Sequence, residues 1–273
     1  MAATDPWSRT DELDESLVEA MVTRLEARAK YPPFLGMLGD YLEAMEIDEK
    51  QTVLDLGTGS GFVARTIAAR SGFSGSVQGV DLSPDLVKAA ARLADQEGLR
   101  DRVRFEAGDT RSLKLEDGSF DAVIAHTLIS HVPDPAGVIR EIVRLLKPGG
   151  VAGIFDGDFA SKIFAQEDPR KGQETDDLIN STQTANPYVM RQMPRLLKQA
   201  GLELAGFFPY VLAEVGQADY WKSSIEANRR LIPQGGAMTQ GEADSWAADL
   251  NKSSDDGFFF GAANYYAYVA RKA

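Results

Sequence analysis

The chain has 273 residues, 44% of them hydrophobic and 26% charged, which is ordinary for a globular protein with a sizeable core. Its 29 basic and 41 acidic residues give a net charge of −12, which makes nucleic acid and anionic membrane surfaces poor partners. It has no cysteine and only two histidines, which excludes disulfides, thiolate metal centres and a cysteine nucleophile, and we predict no metal site.

The N-terminal sequence predicts a cytoplasmic protein without a membrane span. Residues 1–16 are acidic and polar, whereas a signal peptide would be basic and then apolar. No apolar run approaches the roughly 18 residues that a membrane-spanning helix requires.

Two helices are predicted before the first strand. Residues 13–30 have the spacing of an amphipathic helix. Its apolar face would carry Leu13, Leu17, Met21 and Leu25. The prolines of the segment YPPF end this helix, because proline cannot donate a backbone hydrogen bond within it. A second amphipathic helix follows over about residues 35–45, and we predict that residues 1–45 form an N-terminal helical cap.

From residue 46 onward, short apolar strands alternate with helices. The predicted strands are residues 53–56, 75–83, 103–109, 120–128, 151–159, 202–215 and 257–272. Helices are predicted at residues 62–70, 84–98, 135–146 and 188–201, and within 217–250. Near-continuous apolar strands that alternate with helices are typical of an α/β fold, here a doubly wound, mostly parallel seven-stranded sheet covered on both faces.

Two segments do not fit this alternation. The segment 159–190 is polar and too long for a plain connection between strand and helix. Within the segment 214–250, additional helix is predicted. No internal repeat or low-complexity tract divides the chain. We therefore assign residues 46–273 to one domain with insertions near 159–190 and 214–250, and we expect these lid-like insertions to build a substrate pocket.

The segment VLDLGTGSGF places three glycines directly after the first strand, at positions 57, 59 and 61. Glycines in such a turn permit positive φ and let a ligand approach the backbone N–H groups. The dinucleotide pattern GxGxxG would need its third glycine at position 62, which is Phe62 here. Asp55, just before the turn, would repel a pyrophosphate but suits a ligand that carries an ammonium group.

Five motifs in order resemble the class I S-adenosylmethionine-dependent methyltransferases, especially the small-molecule branch similar to the ubiquinone and menaquinone biosynthesis enzymes. They are VLDLGTGSG, the acidic strand end in VDLS, the GD after the third strand, FDAVIAHTLISHV and LLKPGG. The resemblance is dense over about residues 30–155 and covers the remainder only in its strand plan. It implies S-adenosylmethionine as the cofactor, with S-adenosylhomocysteine as product.

The resemblance also implies the cofactor contacts. The methionine part would be wrapped by Gly57, Thr58, Gly59 and Gly61. Asp55 would lie close to the methionine amino group, Asp81 would accept both ribose hydroxyls, and Leu82 would cover one face of the adenine. An alternative for Asp81 is a capping role at the helix that begins in SPD.

Further contacts are implied at the ends of the third and fourth strands. Asp109 would accept from the adenine amino group, with Gly108 and Thr110 beside it, although a turn residue is an alternative for Asp109. His126 and Thr127 would lie beside the methionine or the acceptor. His126 is our candidate for a catalytic base or an acceptor-orienting group, whereas His131 is expected to be structural.

The methyl acceptor is predicted to be a small apolar or aromatic molecule. Tyr31 and Phe34 lie where the family brings a lid helix over the cofactor, so we predict that they contact the acceptor. An alternative is that they end the helix or pack in the core. Asp158 is predicted to line the acceptor pocket. An alternative is that Asp156 and Asp158 bind Mg²⁺ with a catechol-type substrate. A homo-oligomer is compatible with the sequence.

The implied reaction is a single in-line displacement at the sulfonium methyl group, for which the protein mainly aligns the reactants and excludes water. Two related enzymes are disfavoured. An aminopropyl transferase would need an acidic cluster near AHTLISH, and a nicotinamide dehydrogenase would need the glycine at position 62. A non-methylating S-adenosylmethionine binder, or a cyclase that kept the pocket, stays open.

Overall fold

The computed structural model describes residues 5–12 and 15–273. A short 3-10 helix, Pro6–Glu12, precedes α1 (Glu15–Ala29) and α2 (Pro32–Ala44). Both prolines of the YPPF segment stand in the first turn of α2, where their missing N–H groups leave no helical hydrogen bond unmade. The prolines therefore begin the second helix as well as separating it from the first.

Within the described residues, seven strands form a single sheet. The strands are β1 (Thr52–Leu56), β2 (Ser76–Asp81), β3 (Val103–Ala107), β4 (Phe120–His126), β5 (Leu146–Phe164), β6 (Leu202–Gly216) and β7 (Phe259–Lys272). The order across the sheet is β3-β2-β1-β4-β5-β7-β6. Only β7 runs antiparallel to its neighbours in the sheet of described residues. The predicted mostly parallel seven-stranded α/β fold is confirmed.

Helices lie on both faces of this sheet. They are α3 (Phe62–Ala68), α4 (Pro84–Gln96), α5 (Pro135–Leu145), α6 (Pro169–Gln183), α7 (Val189–Gln199), α8 (Trp221–Leu231) and α9 (Gln240–Asp255). Successive residues of β1 point to opposite faces: Val53 joins a core with α2 and α3, and Leu54 joins a core with α5 and α7. This two-sided burial explains the continuous apolar strands.

The structure contradicts the predicted apolar face of α1 at Leu17, which is 49% exposed. Met21 and Leu25 of that face are half-buried, while Val18 and Val22 are buried against α4. Leu13 lies outside the described residues. Leucine and valine stripes overlap along this helix, and docking against α4 decides which stripe is buried.

Helix α2 belongs to the main core. Phe34, Leu38, Tyr41 and Leu42 are buried in one cluster with residues of β1 and α3. The second predicted helix of the 1–45 segment is thus packed on the sheet, and only the part before it lies over neighbouring elements.

Apolar surface outside the core is concentrated on β6, which is an edge strand. Phe207, Val211 and Val215 are 46%, 69% and 79% exposed, while Phe208 and Tyr210 pack against the core. The apolar residues of this strand are therefore buried on one face only. No helix of the described residues is long and apolar enough to cross a bilayer.

Candidate functional site

A cavity lies beyond the carboxyl ends of β1, β2 and β4, the place where doubly wound sheets bind ligands. Its wall is built from the 3-10 helix, α1, α2, the glycine turn and both predicted insertions. The predicted site residues in this wall are Phe34, Asp55, Gly57, Thr58, Gly59, Asp81, His126 and Thr127. Residues from four distant parts of the chain thus meet in one place.

The turn between β1 and α3 requires its glycines. Gly57, Gly59 and Gly61 have φ values of 66°, 55° and 78°, in the left-handed region. A Cβ atom on Gly57 would lie 2.7 Å from the Leu128 side chain, and one on Gly61 would lie 2.7 Å from the Phe105 ring. The turn therefore excludes side chains for backbone and packing reasons together.

Asp55 is the penultimate residue of β1 and a buried carboxyl group in the cavity wall. The Thr58 hydroxyl donates to its Oδ2 at 2.6 Å. Burial raises the pKa of Asp55 to about 7, although the hydrogen bonds from Thr58 and from the Ala64 backbone oppose the shift. A positive charge placed in the cavity would favour the ionised form of Asp55.

Asp81 ends β2 and binds the glycine turn. Its Oδ2 accepts from the Gly59 N–H at 2.8 Å, and its Oδ1 accepts from the Ser83 N–H at 3.0 Å. The hydroxyl of Thr10, from the 3-10 helix, also hydrogen-bonds to this buried carboxyl, and burial raises its pKa. Helix α4 is capped by the side chain of Ser83, which accepts from Leu86 N–H, and not by Asp81.

His126 ends β4 against an aromatic wall. Its ring stacks on Phe155 with centroids 4.6 Å apart, and its Nδ1 lies 2.9 Å from the buried Tyr41 hydroxyl. Burial, with a smaller effect of the Arg28 charge, lowers the pKa of His126 to about 3. The imidazole is therefore neutral at physiological pH and a weak proton acceptor.

Thr127 has a strained backbone. Its φ is 55°, a conformation that is rare for a β-branched residue. The Thr127 N–H donates to the Phe155 carbonyl at 2.6 Å, so β5 holds the strained residue in place. Strain of this kind concentrates at functional sites, and here it lies in the cavity wall.

The predicted adenine contacts lie outside this wall. Leu82, Gly108, Asp109 and Thr110 do not line the cavity, and neither does Gly61. Asp109 accepts from the Arg111 backbone at 2.9 Å and forms an ion pair with the Arg111 guanidinium. This geometry is that of the turn considered as the alternative for Asp109, and its adenine role stays a prediction.

Two predicted acceptor contacts are not brought to the cavity. The Tyr31 hydroxyl donates to Glu214 at 3.1 Å, and its ring stacks on Tyr220, which does line the wall. Asp158 is buried on the α7 side, where Arg191 Nε donates to it at 2.8 Å. The Asp158 carboxylate thus already has a cationic partner, and its substrate-binding role stays a prediction.

The magnesium alternative also finds no support in the geometry. Asp156 accepts from the Ser130 N–H at 2.9 Å and from the Gly157 N–H. Across residues 5–12 and 15–273, no group of three or more acidic or histidine side chains is arranged to hold a metal ion.

The N-terminal segment attaches to the cavity rim through a contact that no local sequence signal indicates. Asp5 is buried, and its Oδ2 lies 2.8 Å from His131 Nδ1 and accepts from the Ala185 N–H at 3.1 Å. Burial alone lowers the pKa of His131, but the Asp5 carboxylate outweighs it and the pKa is raised. His131 lines the cavity and has a carboxylate of the N-terminal segment as its partner, and its structural role stays a prediction.

Comparisons with known sequences point to one family. A family model described as a methyltransferase domain matches residues 47–193. The sterol 24-C-methyltransferase of Aspergillus fumigatus is 41% identical over 112 residues, which are 41% of this chain and 29% of that protein. The ubiquinone biosynthesis O-methyltransferase of Psychrobacter cryohalolentis is 37% identical over 100 residues, 36% of this chain and 38% of that protein. The chain thus spans well under half the length of these two relatives.

A longer match covers the insertions as well. An uncharacterized 37.1 kDa protein in transposon TN4556 of Streptomyces fradiae is 28% identical over 259 residues, 94% of this chain and 73% of that protein. Among solved structures, a putative methyltransferase from Bacillus halodurans has a TM-score of 0.63 at 20% identity, over 86% of this chain and 98% of that one. The cyclase SpnF has a TM-score of 0.56 at 24% identity, over 86% of this chain and 79% of that one. At these identities the structural matches show the fold alone.

The glycine turn predicts a stability difference between two Gly→Ala variants. Gly61 and Gly98 both have positive φ, but a Cβ atom on Gly98 meets nothing within 4 Å. We expect Gly98→Ala to cost about 1–2 kcal/mol, from the backbone conformation alone. Gly61→Ala should cost about 1–3 kcal/mol more, because its methyl group overlaps Phe105. Urea unfolding of both variants measures the difference, and equal losses would contradict the packing argument.

The pKa values of the two histidines should be shifted in opposite directions from the ordinary value. In nitrogen-15 spectra of the wild-type protein, we expect His126 to stay neutral from pH 5 to 9 and His131 to titrate above its ordinary value near 6.5. His126→Asn and His131→Asn assign the signals.

Because the pKa of His131 is raised by folding, its stabilisation is fully present below pH 6.5 and is lost as the pH rises through the folded value. His131→Asn should therefore destabilise more at pH 6 than at pH 9.

Proposed function

We propose that this chain, which belongs to the methyltransferase-domain family, transfers a methyl group from S-adenosylmethionine to a small molecule. The observation that carries the proposal is the cavity in which a left-handed glycine turn lies between two buried carboxyl groups, Asp55 and Asp81. Each carboxyl lies at the carboxyl end of one of two adjacent parallel strands.

The charges of the wall suit the methyl donor. Asp55 is placed to receive the methionine ammonium group, which would draw its carboxyl into the ionised form. Displacement of the Thr10 hydroxyl would free an acceptor site on the Asp81 carboxylate for a ribose hydroxyl. Arg28 lies over Phe34 at 4.6 Å and has a guanidinium nitrogen without a hydrogen-bond partner among the described residues. We assign this nitrogen to the methionine carboxylate.

S-adenosylmethionine supplies an electrophilic methyl carbon on a sulfonium, so the chain's own residues have mainly to align the acceptor and exclude water. Thr127 and the Tyr41–His126 pair shape the wall at the end of β4. A pKa of about 3 makes His126 a poor general base, because an efficient base has a pKa near the working pH. We therefore assign His126 an orienting role and propose alignment as the main catalytic device.

The acceptor half of the cavity is rich in aromatic rings. Phe34, Phe159, Tyr220 and Tyr265 line it, and Phe34 meets Tyr265 edge to face at 5.1 Å. Flat rings of this kind favour an apolar or aromatic metabolite over a peptide. The fold is shared with a cyclase, so fold alone does not distinguish methyl transfer from a non-methylating reaction in the same pocket.

The test is calorimetry followed by a transfer assay. We expect S-adenosylhomocysteine to bind in the micromolar range and NAD not to bind. Methyl-labelled S-adenosylmethionine should then label members of a panel of phenols and quinols. Binding of NAD without S-adenosylhomocysteine would overturn the proposal, and consumption of an acceptor without label would support the cyclase alternative.

Cofactor affinity should depend on pH through Asp55. The carboxyl has a pKa of about 7 in the free protein, and the ligand's ammonium group favours its ionised form. Binding below pH 7 must therefore release a proton, and affinity should weaken as the pH falls from 8 to 6, by up to about tenfold per unit. Calorimetry of S-adenosylhomocysteine in buffers of different ionisation enthalpy measures the release.

Asp55→Asn serves as the control for this prediction. It should bind S-adenosylhomocysteine more weakly at every pH and lose most of the proton release. A wild-type affinity that is equal at pH 6 and pH 8 would contradict the assignment of Asp55 to the ammonium group.

A further inference from the structure

Lys162 is a buried cation that forms no hydrogen bond or salt bridge through its ammonium group within the described residues. It lies on the last part of β5, beyond the bulge after Asp158, and is 6% exposed. Its side chain lines the cavity, and its Nζ has neither a hydrogen bond nor a salt bridge among residues 5–12 and 15–273. Burial lowers the pKa of Lys162 to about 8, although the charge of Asp176 opposes the shift. Buried lysines are rare unless they are paired.

The charges of the cavity wall are separated. Its acidic residues, Asp55 and Asp81, both flank the glycine turn. Its cationic residues are Arg24, Arg28 and Lys162, and none of them forms a salt bridge within the described part of the chain. This is notable in a chain with a net charge of −12, where carboxylates are abundant. With Arg28 assigned to the methyl donor, Lys162 is left over as the buried cation facing the acceptor.

Helix α8 adds hydrogen-bond donors to the same region. Trp221, Ser224 and Asn228 share one helical face that lines the cavity. The Trp221 indole N–H and the Asn228 amide nitrogen are buried and have no partner among the described residues. The Trp221 ring meets Phe164 edge to face at 5.6 Å, two residues along β5 from Lys162. Buried donors are nearly always paired, so this group indicates an acceptor-bearing ligand.

We propose that the methyl acceptor carries a carboxylate, and that Lys162 binds it with the help of the α8 donors. This rests on the proposed function. A single buried ammonium balances the single charge of a carboxylate, and Arg24 is exposed and stacks over Trp7. The aromatic rings of the wall then hold the apolar part of the acceptor, so that the substrate class is an aryl or other apolar carboxylic acid. Lys162 acts as a specificity-determining residue, because a charge anchored at one end fixes where the remainder of the acceptor lies.

The test uses the full chain saturated with S-adenosylhomocysteine. Calorimetry compares benzoate, 4-hydroxybenzoate, cinnamate and indole-3-acetate with their neutral carboxamides. We expect at least one acid to bind ten times or more tightly than its amide. Its affinity should fall above pH 8 to 9, where the Lys162 ammonium loses its proton. Lys162→Met should remove the preference for the acid, and Lys162→Arg should restore part of it.

Lys171→Met is the matched control, since Lys171 is an exposed lysine at the start of α6 in the same insertion. It should bind the acids as the wild type does. Retained binding of S-adenosylhomocysteine by Lys162→Met shows that this variant is folded, and Lys162→Arg provides the second check. The proposal is overturned if no acid in the panel binds, if the amides bind equally well, or if Lys162→Met keeps the preference. Failure of S-adenosylhomocysteine itself to bind would instead reject the proposed function.

Discussion

The hydrogen bond from the Gly59 N–H to the Asp81 carboxylate connects the glycine turn after β1 to the end of β2. The glycine turn has an unusual backbone, and a carboxylate at the end of the neighbouring strand receives one of the N–H groups that this backbone exposes. Because β1 and β2 are parallel and adjacent, their carboxyl ends are at the same edge of the sheet. The Thr58 N–H also donates to the Val80 carbonyl of β2, so two hydrogen bonds join the turn to that strand.

The same carboxylate also binds the N-terminal segment, through Thr10. A few residues away, Asp5 reaches His131 at the end of the β4 connection. The 3-10 helix is thereby held across the cavity by polar contacts to residues that the sheet has already positioned.

Acidic and cationic groups occupy different parts of the cavity, and each part is proposed to bind a different ligand. Carboxyl groups surround the glycine turn, while Lys162 lies on the last part of β5 and the other donors lie on α8. The ends of β1 and β2 determine the first set, and the chain that follows the bulge of β5 determines the second. A common donor site with a variable acceptor site is what this division of the chain predicts, and it explains how relatives named for sterols and for ubiquinone share one domain.

The sequence by itself determined the sheet, the glycine turn and the strand-end carboxylates, because these depend on local patterns: apolar runs, φ > 0 at glycine and acidic residues after strands. Only the tertiary structure decided which face of α1 is buried and that Arg191 forms an ion pair with Asp158. It also decided that Tyr41 and Phe155 contact the His126 ring. It also brought Thr10 to Asp81 and left Lys162 unpaired. Each of these depends on contacts between residues far apart in the chain. Such contacts set the partners and the pKa values of polar side chains, and no local sequence pattern indicates them.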